Sequence, residues 1–172
     1  MRRTAGLLFT VLTSLMIVFV MSVSVFAAAL TPADAERKAL ADAGLSASEV
    51  TGLRTEFDKG CYEVEFANKA RNAKYDYEIS AQNGRIKEVN IEYRHKKNYS
   101  KASITKKAAY KTVAKASGKK LATVKSGSCR LKKDDGEWVY EIKFKSGKYR
   151  YEYEVHAATG KITEFEKEYK GK

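Results

Sequence analysis

Two histidines and two cysteines are the scarcest reactive side chains in this 172-residue chain. His95 and His156 fall in different halves of the sequence. There is no His-Glu-x-x-His, and no His/Cys spacing matches a zinc site. The sequence therefore predicts no metal ligand and no cofactor. His156 follows Val155 on an alternating segment, so it is expected on the solvated side. A Ser-His-Asp triad needs no sequence spacing, but no Gly-x-Ser-x-Gly elbow supports one. Lys125-Ser126-Gly127-Ser128 matches neither that elbow nor a phosphate loop. The acid pairs Glu63/Glu65 and Glu152/Glu154 stand two apart on alternating segments. They read as solvated charge on a wet strand face rather than as a glycosidase pair. No catalytic residue is predicted. Cys61 and Cys129 are an even pair, which in an oxidising compartment predicts a disulfide. Parity opposes it, because Cys129 falls in line with Leu131 and Cys61 with Glu63. The alternative is two free thiols, one buried and one exposed.

Charge is the sharper signal. The formal net charge is +12. Residues 30–95 hold ten basic and twelve acidic side chains, a net of −2, whereas residues 96–172 hold twenty-one and nine, a net of +12. Lys107, Lys111, Lys115 and Lys119 recur every fourth residue and so share one helical stripe, against a slight i,i+4 repulsion. That stripe is either a solvated face or an anion-binding one.

The elements that must carry these side chains begin with a leader. Arg2 and Arg3 precede an apolar run from Leu7 to Leu30 that closes on Val25-Phe26-Ala27-Ala28-Ala29. This is the pattern of a secretory signal over residues 1–29, with cleavage after Ala27 or Ala29; an uncleaved membrane anchor is the alternative. Removal after Ala29 leaves 143 residues with a net charge of +10. Export argues against nucleic acid as the partner of so basic a chain. Lipid headgroups, wall polymers and acidic proteins remain.

The rest of the chain is an internal repeat. Tyr62-Glu63-Val64-Glu65-Phe66 returns as Tyr140-Glu141-Ile142-Lys143-Phe144. Tyr75-Asp76-Tyr77-Glu78-Ile79 returns as Tyr151-Glu152-Tyr153-Glu154-Val155, and Asn83-Gly84-Arg85-Ile86 as Thr159-Gly160-Lys161-Ile162. Two modules follow, residues 30–95 and 104–172, with a polar linker at 96–103. Each opens with a helix. Thr31 caps the first, Pro32 starts it and Gly44 stops it, with Ala35, Ala39, Leu40 and Ala43 facing in. Thr105 and Gly118 bound the second, with Ala109, Val113 and Ala116 facing in. The period-two segments read as antiparallel strands with one wet face. Parity slips after each Gly turn in the same place, which predicts a bulge in both copies. The fold class expected is α+β: two repeated modules, each one helix packed on a three- or four-stranded antiparallel sheet. Each core is marginal alone, so the modules should pack together.

These residues resemble the PepSY module. Its pattern is an Ala-rich helix, a Tyr-Glu-Val type strand and a Tyr-x-Val-x-Ala-x-Thr-Gly-x-Ile turn. The second copy carries it from Tyr151 to Ile162 and the first from Tyr75 to Ile86, with Gln82-Asn83-Gly84 in place of Ala-Thr-Gly. The resemblance covers nearly all of the chain beyond the leader. It implies a role like that of modules found in propeptides of thermolysin-type metallopeptidases and in secreted or membrane-bound bacterial proteins, which restrain or modulate peptidases. It carries over no catalytic or binding residue. The expected function is a secreted, non-enzymatic inhibitor or modulator of an extracellular or envelope peptidase. The alternative is an envelope-attachment module that holds anionic wall polymer or lipid through the basic second copy.

Overall fold

A computed structural model describes residues 30–97 and 100–171; the leader predicted at 1–29 lies outside the described residues. Local sequence sets each element. Helix α1 (Pro32–Ala43) begins where the Thr31 side chain accepts from the Asp34 N–H and Asp34 reaches back to the Thr31 N–H, a complete capping box. It ends at Gly44, whose φ of 61° is a left-handed conformation that a Cβ would strain. Helix α2 (Lys106–Ser117) repeats the design with Thr105 and Gly118, but without the reciprocal acid. Ala109, Tyr110 and Val113 face its core, whereas Ala116, expected inward, is exposed. A short helix α3 (Leu121–Lys125) follows, and only its Val124 is buried.

Eight strands complete the structure: β1 (Thr51–Asp58), β2 (Cys61–Asn68), β3 (Ala73–Ser80), β4 (Ile86–Tyr93), β5 (Ser128–Asp134), β6 (Glu137–Ser146), β7 (Tyr149–His156) and β8 (Ile162–Tyr169). They form one antiparallel sheet in the order β1-β2-β3-β4-β8-β7-β6-β5. This corrects the expected fold class. The molecule is mostly β, a single eight-stranded sheet with few helices, and not two separate helix-on-sheet modules. The reason is the strand edge. A four-stranded half would leave β4 and β8 with unpaired N–H and C=O groups, and pairing them to each other, from Glu88↔Glu168 to Glu92↔Glu164, removes both edges at once. Among the described residues only β1 and β5 remain as outer strands.

The bulges sit where the parity slip placed them. Ile79 pairs with Ile86 but Glu78 with Glu88, so Lys87 is the extra residue; Thr163 is its counterpart between Ile162 and Glu164. Register carries one apolar face through the whole sheet. Val64, Tyr77, Val89 and Phe66, Tyr75, Ile91 lead across the seam to Phe165, Tyr153 and Ile142. The helices cover that face as two adjoining cores, and Phe165 packs against both. The opposite face is left polar.

Candidate functional site

The uncovered face is a lattice of carboxylates. Cross-strand register aligns Glu92, Glu164, Glu154 and Glu141 in one row over β4, β8, β7 and β6. A second row holds Asp76, Asn90, Glu166, Glu152 and Lys143, and a third Glu63, Glu78, Glu88, Glu168 and Arg150. Like charges directly opposite one another oppose pairing. The second half answers with cations. Lys132 on the outer strand reaches Glu141 at 2.9 Å and Glu154 at 2.6 Å, and Lys143 reaches Glu152 at 2.8 Å. Burial alone would raise the Glu141 carboxyl, but the hydrogen bond and charge of Lys132, with Lys143 and Arg130, outweigh it and bring it down to about 2. At the seam the balance reverses. Burial and then the neighbouring carboxylates hold Glu88 and Glu164 above the usual carboxylate range.

The described part of the connection after β4 runs over this face. Lys97 pairs with Asp135 in the β5–β6 turn at 3.0 Å, and a cleft of about 520 Å³ opens between Arg94, His95 and Lys97 on one side and Glu137, Val139, Glu154 and Glu164 on the other. Both histidines meet there. His95 Nε2 lies 3.1 Å from one Glu137 oxygen and His156 Nε2 lies 3.2 Å from the other. His156 is only 1% exposed and Glu137 4%, although His156 was expected to be solvated. Alternation did put it on the polar face, but Glu137 at the start of β6 and His95 of the connection stand against it at that end of the face. Ligand atoms of His95, Glu137 and His156 lie within 4.8 Å of one another, so the described residues do include one group with the donor set of a metal site, contrary to the expectation of none. Spacing along the chain could not show it, because the three come from the connection, β6 and β7.

Thr159, His156 and Glu137 also mimic a hydroxyl-imidazole-carboxylate chain, since Thr159 Oγ1 lies 3.1 Å from His156 Nδ1. The repeat explains this contact differently. Thr159 Oγ1 accepts from the Lys161 N–H exactly two residues on, as Asn83 Oδ1 does from Arg85 in the first copy. The hydroxyl is turn chemistry. The His156 Nδ1 lone pair already accepts the Thr159 N–H at 3.1 Å, so it is not poised to take a proton from that hydroxyl.

The remaining predicted residues disperse. Cys61 and Cys129 are free thiols. They lie on β2 and β5, six strand steps apart in the sheet, roughly 29 Å at about 4.8 Å per step. A disulfide needs Cα atoms within about 7 Å, so the expected bridge is not formed. Cys61 is buried on the polar face under the Lys87 ammonium, 2.9 Å from its sulfur, and burial raises its thiol. Lys107, Lys111 and Lys115 form an exposed stripe on α2, on the far side of the molecule from the carboxylates. Lys119 leaves the stripe beyond Gly118, and its ammonium stands 5.7 Å from the centre of the Tyr151 ring.

The family model for the peptidase propeptide and YPEB domain matches residues 29–90 and again 103–166. The chain is a tandem member of the PepSY family. Both matched segments stop inside the last strand of their half, so the family unit coincides with the repeat seen in the sheet. No curated protein matches. Among solved structures, the chain is similar to a candidate lipoprotein from Clostridium difficile 630, at 20% identity over 81% of this chain and 95% of that one, with a TM-score of 0.31. It is also similar to a DUF2874 family protein from Bacteroides uniformis ATCC 8492, at 12% identity over 77% and 86% of the two chains, with a TM-score of 0.30. A cysteine-rich secretory protein from Staphylococcus aureus subsp. aureus Mu50 matches at 16% identity with a TM-score of 0.38, and 43% of that chain is covered, against 78% of this one. Among the described residues, no helix is long and apolar enough to cross a membrane.

Proposed function

We propose that this PepSY protein is an exported, non-catalytic binding protein that restrains or tunes an extracellular or envelope peptidase. The observation that carries this reading is the family match over both halves of the chain. The sheet supports a way of doing it. Fusion through β4 and β8 leaves two edges for strand addition, and they differ. Strand β5 is guarded by Arg130, Lys132 and Lys133, the charges that discourage edge pairing. Strand β1 carries Arg54, Glu56 and Asp58 but presents Phe57, 64% exposed and 5.3 Å from the Tyr62 ring, against 40% for Leu131 on β5. We assign the peptidase-facing edge to β1. The test adds residues 30–172 to peptidases from the same culture medium. A rate change that saturates at fixed stoichiometry supports the reading, and Phe57→Glu should abolish it while Leu131→Glu on β5 should not. No change in any peptidase rate defeats it.

The attachment reading keeps one specific support: Lys107, Lys111 and Lys115 point away from the carboxylate face, so anionic polymer or lipid could be held there without covering the sheet. Binding to anionic vesicles should then weaken steeply with salt, over a Debye length of about 8 Å at physiological strength, and vanish on changing the three lysines to Gln. Retention by the triple variant would remove this reading.

A further inference from the structure

We propose that His95, Glu137 and His156 bind a divalent transition-metal ion of the zinc type, and that this ion ties the connection after β4 to the second half of the sheet. The first argument is the donor set. Two imidazoles and one carboxylate are borderline ligands that favour zinc and its neighbours over magnesium or calcium. Zinc bonds of about 2.0–2.2 Å put tetrahedral ligand atoms roughly 3.3 Å apart. The two histidine-to-glutamate separations are 3.1 and 3.2 Å, to different oxygens of Glu137, and one ligand atom from each of the three residues lies within 4.8 Å of the others. The two imidazoles stand with ring centres 5.7 Å apart and inclined at 64°, an edge-on arrangement that leaves both Nε2 atoms turned toward the same carboxylate. Closing the third side falls to His95, whose side chain is 32% exposed on an irregular segment and can swing inward.

The second argument is proton placement. His95 Nδ1 lies 3.1 Å from the Tyr93 carbonyl, which can only accept, so Nδ1 carries the hydrogen. In the neutral ring Nε2 is then a lone pair, and it faces a carboxylate oxygen at 3.1 Å. Two electron-rich atoms at that distance call for a positive charge shared between them, either a proton or a metal ion. The backbone carbonyl on the far nitrogen is the arrangement by which metal-bound histidines are oriented. For His156, Nδ1 accepts the Thr159 N–H, so Nε2 carries the hydrogen that faces Glu137, and metal binding there must release that hydrogen to solvent as a proton while Nδ1 keeps the Thr159 N–H.

The third argument comes from the repeat. By register, His156 opposite Val139 corresponds to Ser80 opposite Cys61 in the first copy. Glu137 lies in a two-residue extension of β6: the Asp135-Gly136 turn matches Lys59-Gly60, and β2 begins directly at Cys61, the equivalent of Val139. The first copy builds the same four strands with neither ligand, so the fold does not require the cluster. Two clefts, of about 520 and 410 Å³, both border His95 and give an ion a path to the site.

The test is a calorimetric titration of zinc into metal-free residues 30–172, beside magnesium and calcium. One zinc per chain should bind, with no magnesium or calcium response. His95→Ala, at a partly exposed position that should leave folding intact, is expected to weaken zinc by at least about tenfold. Glu137→Gln should do likewise, and zinc should raise the melting temperature of the parent but not of either variant. A cobalt-loaded sample should show d–d absorption without the sulfur charge-transfer band that Cys61 or Cys129 would add. Absence of zinc binding would assign the shared charge to a proton and overturn the proposal. So would equal affinity in the parent and His95→Ala, or a thiolate band.

Discussion

The two halves of the sheet share a skeleton almost residue for residue and differ in their balance of charge, a net of −2 over residues 30–95 against +12 over residues 96–172. Phe66 stacks on Tyr75 and Tyr77 at 4.9 and 5.9 Å, and Phe144 stacks on Tyr151 and Tyr153 at 5.0 and 6.2 Å. Tyr62 donates its hydroxyl to the Leu30 carbonyl, as Tyr140 does to Ile104. These contacts are what the fold needs, because aromatic burial and a satisfied phenol are expensive to replace. The charges are not needed in the same way. Glu63 opposite Glu78 returns as Glu141 opposite Glu154, but the cation differs: Lys87 reaches Glu78 and Cys61 in the first half, whereas Lys132 bridges Glu141 and Glu154 in the second. A repeat thus separates the part of a sequence that specifies structure from the part free to acquire function.

The strongest way to break the comparison is to damage each core in turn. Phe66→Ala and Phe144→Ala should each cost about 3–5 kcal/mol, since both remove a stacked ring that is at most 3% exposed. If the continuous sheet makes the halves one cooperative unit, either variant lowers a single calorimetric transition. Two transitions, one unmoved in each variant, would mean that the seam does not couple them.

Ion pairs sharpen it at the next level. Lys132 serves two buried carboxylates and is itself 30% exposed, so Lys132→Met should cost about 2 kcal/mol, less than the 3–5 of a fully buried pair. Arg54 pairs with Glu65 at 2.6 Å in the first half but is 61% exposed, and Arg54→Met should leave the urea midpoint nearly unchanged. Urea midpoints at pH 7 distinguish the two.

Much of this was legible in the sequence. The helix caps, the Gly turns, both bulges and the apolar face follow from spacing within twenty residues. The pairing of β4 with β8 does not, because Val89-Asn90-Ile91 and Glu164-Phe165-Glu166 carry no mark of which outer strand they will meet. The histidine cluster was hidden for the same reason: His95 precedes Glu137 by 42 residues and belongs to the other half of the repeat, and only the seam brings them together. The disulfide misled because an even cysteine count says nothing of distance across a sheet.

The seam itself offers the smallest and most specific test. Glu88 faces Glu78 on β3 and Glu168 on β8, with Arg150 the nearby cation. Glu164 faces Glu92 on β4 and Glu154 on β7, with Asp134 and Lys132 reaching in from β5. Both carboxyls are held above the usual carboxylate range, so the folded chain binds these protons more tightly than the unfolded chain. Stability from these two groups is therefore fully present below the unfolded value and falls as pH rises through the folded one. Glu141 works in the opposite sense. Its folded value of about 2 makes its contribution present above the unfolded carboxylate value and lost as pH drops toward 2. The melting temperature should thus rise from pH 7 into mild acid and fall again below the ordinary carboxylate range. Glu88→Gln and Glu164→Gln remove one member of each like-charge pair, and each should add about 0.5 kcal/mol at pH 7 while flattening the acid-side rise. Equal pH profiles for parent and variants would show that seam repulsion is screened out. The carboxylate rows would then owe their tolerance to solvent rather than to the pairing of β4 with β8.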